Sequence, residues 1–506
     1  MRLLQLKVQI SPKTPLIKDT LNISEIKSLT KDAQAPVAGI IGFMDGKRVK
    51  STLKPLSALK SQGFEAAGVL KLLILMPLLG IFNIHSFLES SFASLSLAKK
   101  DTFYRLLNNP LVDWRKLYFG FVKHFLSGSQ ALGSASPSSP RCWVVDDTIG
   151  EKTGRRIEGV GMLFDHVIHR YVLGFKYLVV GFWDGTSFIP VDFSVHRERG
   201  KDKKRPFGLR LKDFRRQFAK TRPDWSPGKS RIAELDTDKI SATIKMIKRA
   251  GKHGIVADYL LVDSWFVCDE LVKFVAQSKM VGHLVGQCEN DKRKYLYKGL
   301  EYSGAALKKL LGAKWTRCRT LKMQYIQVDV AYKGTPLRLF FTRRHGNTSE
   351  RLLLTTDQSL SFTKAFDIYA IRWTIEVYFK ESKQLLGLGN CQSRDFDAQI
   401  AAVTICMMQY LTLAHQKRIG SYHTIGGLFR ECAQRATKAL LNQRILGLMR
   451  QLLQEIEQVF SIDLDETMER LLSDDRLNSR LTTILSALTC DDHPDNWENT
   501  IYDKVA

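Results

Sequence analysis

The spacing of apolar positions changes several times along the chain, and each change marks a boundary. From Phe64 to about Leu126 apolar residues recur at helical intervals. The most apolar run, Val69 to Ile84, is interrupted by Lys71, Pro77 and Gly80 and is short for a membrane span, which predicts a buried helix pair. Asp101 reads as the N-cap of a helix over Thr102–Asn108; Asn109-Pro110 breaks it and Leu111–Leu126 resumes. Lys99, Lys100, Arg105, Arg115, Lys116 and Lys123 decorate these helices, a layout that suits either a helix-turn-helix reader of DNA or an ordinary helical bundle. The Ser-, Gly- and Pro-rich stretch from Ser127 to Pro140 reads as a linker.

Beyond it the pattern becomes strand-like. Cys142-Trp143-Val144-Val145 runs into Asp146 and Asp147, and Tyr171–Trp183 and Ser187–Val195 form a hairpin about Asp184-Gly185. Asp238–Ala250 is an amphipathic helix. Tyr259–Val262 reads as a buried strand ending in Asp263, and a helix (Asp269–Lys279) and a strand (Val281–Gln287) complete a βαβ unit. Trp315–Leu321, Tyr325–Ala331 and Leu337–Thr342 alternate like antiparallel strands within a β-rich insertion. Leu352–Thr356 returns to the sheet, and a helix follows from about Thr363. From Ala398 to Ala487 the spacing is helical again, over Ile400–Leu413, Ile425–Leu441 and Ile445–Phe460, before an acidic tail from Asp491 to Ala506. The expected organisation is a helical N-terminal region (1–140), a sheet region (141–287, resumed at 358–395), a β-rich insertion (288–357) and a helical C-terminal region (396–506).

Charge narrows the function. The 506 residues carry a formal net charge of +25, which favours a polyanionic partner, nucleic acid or an acidic membrane surface. The stretch from Arg197 to Lys252, with Lys201, Lys203, Lys204, Arg205, Arg210, Lys212, Arg215, Arg216, Lys220 and Arg222, reads as a phosphate-backbone contact or a solvated basic face. The N-terminus shows no signal-peptide core with a cleavage site, and the eight cysteines form no Cys-x-x-Cys pair and no zinc spacing with His. They are expected as reduced thiols in a cytoplasmic protein.

Three acids are candidates for chemistry. Asp146 ends the first strand, Asp263 ends a later one, and Glu376 lies on a helix over Tyr369–Lys383 that lacks Pro and Gly. At about 100° per residue, Tyr369, Arg372, Glu376 and Lys383 share one arc of that helix, while Ile371, Ile375, Tyr378 and Leu385 face the other way. A carboxylate flanked by cations is either a surface ion-pair stripe or a place where a metal and a phosphate meet. Magnesium takes oxygen ligands and retains waters, so two Asp and one Glu suffice without His or Cys.

The spacing Tyr, two residues, Arg, three residues, Glu, six residues, Lys, met by Tyr369, Arg372, Glu376 and Lys383, resembles the signature of the DDE transposases of bacterial insertion sequences, in the insertion-sequence-four branch. The resemblance covers about residues 140 to 395. Asp146-Asp147-Thr148 and Asp263 look like that family's first and second catalytic acids, with Asp146 preferred to Asp147. The resemblance implies an α/β fold: a ribonuclease-H-like mixed sheet with a β-rich insertion, plus helical N- and C-terminal regions. It implies that Asp146, Asp263 and Glu376 bind two Mg²⁺ ions, with Mn²⁺ able to substitute, and that Tyr369, Arg372 and Lys383 grip DNA phosphates. Trp373, next to the signature arginine, is a candidate to stack on a base. The implied activity is cut-and-paste transposition by way of a hairpin step, on double-stranded DNA carrying terminal inverted repeats and on target DNA. A homodimer on paired ends, in the bacterial cytoplasm at the nucleoid and away from membranes, is the implied assembly. Two alternatives stand beside it: a ribonuclease-H-like nuclease or resolvase that cuts without joining, and an inactive DNA-binding derivative.

Overall fold

Cys142, Trp143, Val144 and Val145 are all fully buried, and they form the middle of a mixed sheet. The computed structural model describes residues 36–435, apart from 60–62, 91, 94–95, 132–138, 201, 289–292, 313, 345–349 and 421. The expected helix Ile425–Leu441 is described, and helical, as far as residue 435; its remainder, the expected helix Ile445–Phe460 and the acidic tail lie outside the described residues. The chain divides into two compact units at Cys432/Ala433, and the elements below belong to the first.

Among the described residues six α-helices precede the sheet: α1 (Pro36–Met44), α2 (Lys47–Ala58), α3 (Ala66–Leu75), α4 (Ile84–Glu89), α5 (Lys100–Leu107) and α6 (Trp114–Ala131). The first strands are β1 (Cys142–Glu151), β2 (Gly161–Asp165), β3 (Arg170–Trp183) and β4 (Phe188–His196). Next come α7 (Leu211–Arg215), α8 (Pro227–Ala233), α9 (Lys239–Gly251), β5 (Ala257–Val262), α10 (Asp269–Gln277) and β6 (Val281–Cys288). The insertion contributes β7 (Lys294–Tyr297), β8 (Leu300–Ser303), α11 (Gly304–Leu311), β9 (Thr316–Cys318), β10 (Met323–Tyr332) and β11 (Thr335–Arg344). The chain returns through β12 (Glu350–Thr355) to α12 (Phe362–Ala370), α13 (Trp373–Leu385) and α14 (Phe396–Ile419).

The core of the sheet runs β4-β3-β1-β5-β6. The β1–β3 and β3–β4 pairs are antiparallel, whereas β5 lies parallel to β1 and β6 parallel to β5. Three meandering strands followed by two parallel ones constitute the ribonuclease-H-like arrangement expected of the mixed α/β fold. The β-rich stretch extends this same sheet: β12 pairs antiparallel with β6, and β11, β10, β7 and β8 continue outward.

The helices before β1 pack into the core. On α6, Trp114, Leu117, Tyr118, Phe119, Phe121, Val122 and Phe125 are buried, and the helix packs on α2, α14 and β4. Arg115 on this helix donates to Asp192 (2.9 Å) and Glu234 (2.9 and 3.1 Å). This is the packing of a bundle helix, with Arg115 turned to internal acids while Lys116 stays exposed. The helix also continues to Ala131, past the expected linker start at Ser127.

Asp395 caps α14, accepting from the Asp397 N–H (2.9 Å), and α14 is apolar on every side. Its length and composition would cross a membrane, but 94% of its apolar window is buried within the protein. It is a core helix around which α1, α3, α5, α6 and β4 pack. On α13, Ile375, Tyr378 and Phe379 are buried, each side chain contributing about 1.5–3 kcal/mol. Tyr378 lies 5.5 Å from the Phe188 ring of β4 and 4.8 Å from Tyr410 of α14. Past α13 the chain crosses β1 at close range: a Cβ on Gly389 would stand 3.2 Å from the Gly150 Cα, and Gly389 has a φ of +94°. The buried Lys152 ammonium clamps this crossing by donating to the carbonyls of Gly389 (2.6 Å) and Cys391 (2.7 Å).

Candidate active site

The sheet register brings the first two acids level. The last parallel pair between β1 and β5 is Val144 with Leu261, and Asp146 and Asp263 each follow by two residues. β1 itself does not stop there. It continues, paired with β3, as far as Glu151 opposite Gly174, so Asp146 and Asp147 sit inside a strand whose parallel neighbour has ended. The expectation that Asp146 ends its strand is corrected accordingly: apolar content falls off at Val145, but the ladder to β3 holds the backbone extended. The result is a crevice at the carboxyl end of β5, where open α/β sheets place their sites.

Side chains alternate across a strand, so Asp146 and Asp147 point to opposite faces. Asp146 meets α13: Arg372 Nη1 donates to Asp146 Oδ2 (3.0 Å) and Nη2 to Glu376 Oε1 (2.5 Å). Asp147 meets α9, where Lys239 forms an ion pair with it. The two neighbouring acids are thus separated by partner.

Asp263 accepts from the backbone N–H groups of Trp265 (3.0 Å) and Phe266 (3.4 Å), which fixes the turn after β5. It does not cap α10, whose N-cap residue is Cys268. Burial raises the Asp263 carboxyl above the ordinary carboxylate range, against the pull of these hydrogen bonds and of Arg372. Asp146 is pushed up to about 7, first by burial and then by the negative charge of Asp263, with Arg372 opposing. The site therefore crowds carboxylates around a single guanidinium.

Arg372 does not lie within one continuous helix. α12 ends at Ala370 and α13 begins at Trp373; the turn between them is tightened, with Arg372 N–H bonded to Tyr369 O (3.0 Å) and Thr374 N–H to Ile371 O (3.0 Å). Tyr369 stays close, its ring centroid 5.8 Å from the Arg372 Cζ, and burial pushes its phenol up to about 12. Trp373 is 64% exposed. Lys383 is exposed two turns further on, about 10 Å from Glu376 along the axis. Its acidic neighbours are Glu151 and Asp165, outside the Asp146–Glu376 cluster. The structure thus gathers Asp146, Asp263, Tyr369, Arg372 and Glu376, and sets Lys383 apart.

Lys239 has no signature in the sequence. It begins α9, between N-cap Asp238 and the apolar face, and its ammonium lies over the Trp265 ring at 4.6 Å as well as against Asp147. Only the fold joins these positions. Many cations of the basic stretch are internal in the same way: Arg197 pairs with Asp236, Arg222 with Glu158 and Asp397, Arg231 with Glu234 and Arg249 with Asp192. Lys203, Lys204, Arg205, Arg210, Lys212, Arg215 and Arg216 remain exposed.

The donor set suits a hard divalent cation, since it consists of carboxylate oxygens with unbalanced negative charge. Among the described residues, however, no three His, Cys, Asp or Glu side chains converge to enclose an ion. Arg372 stands between Asp146 and Glu376.

Residues 235–412 match the family described as Transposase DDE domain. The DDE-domain segment contains Asp263, Tyr369, Arg372, Glu376 and Lys383, and it begins after Asp146. No curated protein matches the chain. Among solved structures the chain is similar to piggyBac transposase in a synaptic complex with hairpin DNA, at 11% identity and a TM-score of 0.41, over 94% of this chain and 89% of that one.

Proposed function

We propose that the chain is a DNA transposase whose site is formed by Asp146, Asp263 and Glu376. The observation that carries this reading is Arg372, which lies inside a segment that matches a transposase domain and reaches across 226 residues of sequence to Asp146, tying it to Glu376 beside Asp263. The three carboxylates would hold divalent ions, Mg²⁺ or Mn²⁺; bound there, such ions supply positive charge to the phosphoryl oxygens in transfer.

The chain's own residues do the rest. Asp263 is positioned by its turn, and Glu376 by the buried face of α13. Lys239 neutralises Asp147 and so leaves Asp146 as the first acid. Arg372, Tyr369 and Trp373 border the crevice in which a scissile phosphate and its flanking base would lie, and Lys383 reaches DNA further along. The reaction we infer begins with hydrolysis at the element's end, which frees a 3′-hydroxyl. That hydroxyl then attacks the opposite strand to form a hairpin and, once the hairpin is reopened, attacks target DNA. Paired ends held by a homodimer, in the manner of the insertion-sequence-four branch, complete the proposal.

The test is a denaturing gel of DNA carrying the ends of the chain's own element, incubated with wild type or Asp263→Ala in Mg²⁺. Nicking at the element boundary by wild type alone supports the three-acid site. Equal nicking by both proteins would remove Asp263 from it. Precut ends that are never joined to target DNA would leave a nuclease.

A further inference from the structure

We propose that Arg372 is the internal counter-ion of the acid site, and that it keeps Asp146 and Glu376 from closing around an ion until a DNA phosphate draws the guanidinium away. The inference rests on the three-acid reading above and adds a regulation to it. Three observations carry it. Arg372 spends both terminal nitrogens on the two acids, one on β1 and one on its own helix. The acids as placed do not converge on a common point. And Arg372 sits in the tightened turn between α12 and α13, at the entry of a helix and outside its hydrogen-bonded middle. A guanidinium at such a position can change rotamer without unwinding α13.

The chemistry is an exchange of partners. A dication and the Arg372 guanidinium compete for the same carboxylate oxygens. Either can neutralise the cluster, but Arg372 occupies the space between the two donors. If it leaves alone, its charge has no partner. A phosphate at the crevice provides one, in the bidentate geometry guanidinium favours. The free energy Arg372 loses at the carboxylates is then returned at the DNA, so ion and DNA strengthen each other's binding by a common factor. The protein would load its ions efficiently only when DNA is in place, which restrains cutting by free protein.

The experiment titrates Mn²⁺ against full-length protein and counts the unbound ion by electron paramagnetic resonance, with and without uncleavable end DNA. Wild type, Arg372→Lys, Arg372→Gln and Asp263→Asn are compared, with circular dichroism as the folding control. Lysine keeps the charge but cannot bridge both acids. The expected result is that Arg372→Lys and Arg372→Gln each bind Mn²⁺ without DNA at least about fivefold more tightly than wild type, and that the gain in affinity on adding DNA shrinks by a similar factor. Binding by both variants that equals or falls below wild type overturns the inference. Tighter binding by Arg372→Gln alone also overturns it, because a distant positive charge would then account for the effect. If Asp263→Asn binds Mn²⁺ as wild type does, the three-acid reading fails and takes the inference with it; loss of binding in that variant with no effect at Arg372 sinks the counter-ion alone.

Discussion

Arg222 lies in the stretch whose basic residues suggest DNA contact, yet only 2% of its side chain is exposed. Its Nη1 and Nη2 donate to the two Glu158 oxygens (2.8 and 2.6 Å), and its Nε donates to Asp397 (3.1 and 3.2 Å). Replacing it by Met strands two acids whose side chains are 8% and 3% exposed. Breaking a buried pair from one side costs about 3–5 kcal/mol. Two features set this case at the lower end. Lys220 still reaches Asp397 (3.0 Å), and Glu158 keeps the N–H groups of Phe396 and Lys220 (both 3.2 Å). Burial already holds the Asp397 carboxyl above its ordinary range, so it can take up a proton and cap the loss. The expected destabilisation is about 3 kcal/mol, a factor of roughly 150 in the unfolding equilibrium. Urea denaturation at pH 7, followed by tryptophan fluorescence, measures it. DNA anisotropy across a range of salt should show an unchanged slope for the folded variant. A stability loss below about 1 kcal/mol, together with a slope flattened by about one counterion, would mean that Arg222 faces DNA and would refute the reasoning.

The exposed cations should behave in the opposite way: Lys203→Gln, Lys204→Gln and Arg210→Gln together should leave urea stability within about 0.5 kcal/mol of wild type and flatten the DNA salt slope by up to about three counterions, read by the same anisotropy series. His415 and His124 both pack on the Phe43 ring, at 4.6 and 4.7 Å. Burial holds His415 down at about 4 and lowers His124 as well. A depressed histidine gives stability that is present above its unfolded value and lost as pH falls toward its folded one, so acidification from pH 7 to 5 should cost up to about 2 kcal/mol through His415, and His415→Gln should flatten the urea midpoint against pH in that window. Lys152→Met should leave the Gly389 and Cys391 carbonyls without their buried donor, lowering urea stability by about 1–3 kcal/mol, with faster amide exchange after α13 read by mass spectrometry.

Local pattern carries much of this architecture. Cys142–Val145 and Tyr259–Val262 are readable as buried strands because their apolar runs need no partner to be recognised, and Asp263 follows from where the second run stops. The continuation of β1 through Asp146 and Asp147 is not readable, because polar residues are held there by the β3 ladder. Tyr369, Arg372 and Glu376 stand out by spacing. The turn between α12 and α13 does not, since neither Gly nor Pro marks it and Arg372 is engaged from β1. The basic stretch misleads for a related reason: the acids that absorb Arg222 and Arg249 are Glu158 and Asp192, distant in sequence and brought close by the fold. Lys239 was silent because its partner Asp147 lies 92 residues away.

The long excursion between β6 and β12 leaves and re-enters the sheet at one hydrogen-bonded level, with Cys288 opposite Leu352. Its two ends are therefore held by the core like the two sides of a hairpin, whatever lies between them. Strands added or removed beyond β12 change the breadth of the sheet and the surface it offers, while Asp263 on one side and Glu376 on the other keep their separation. The excursion touches the acid crevice at its start, where Arg293 donates to the carbonyl of Ser264 (3.4 Å), next to Asp263; the strands beyond β12 are where a wider or narrower protein can be made around the same chemistry.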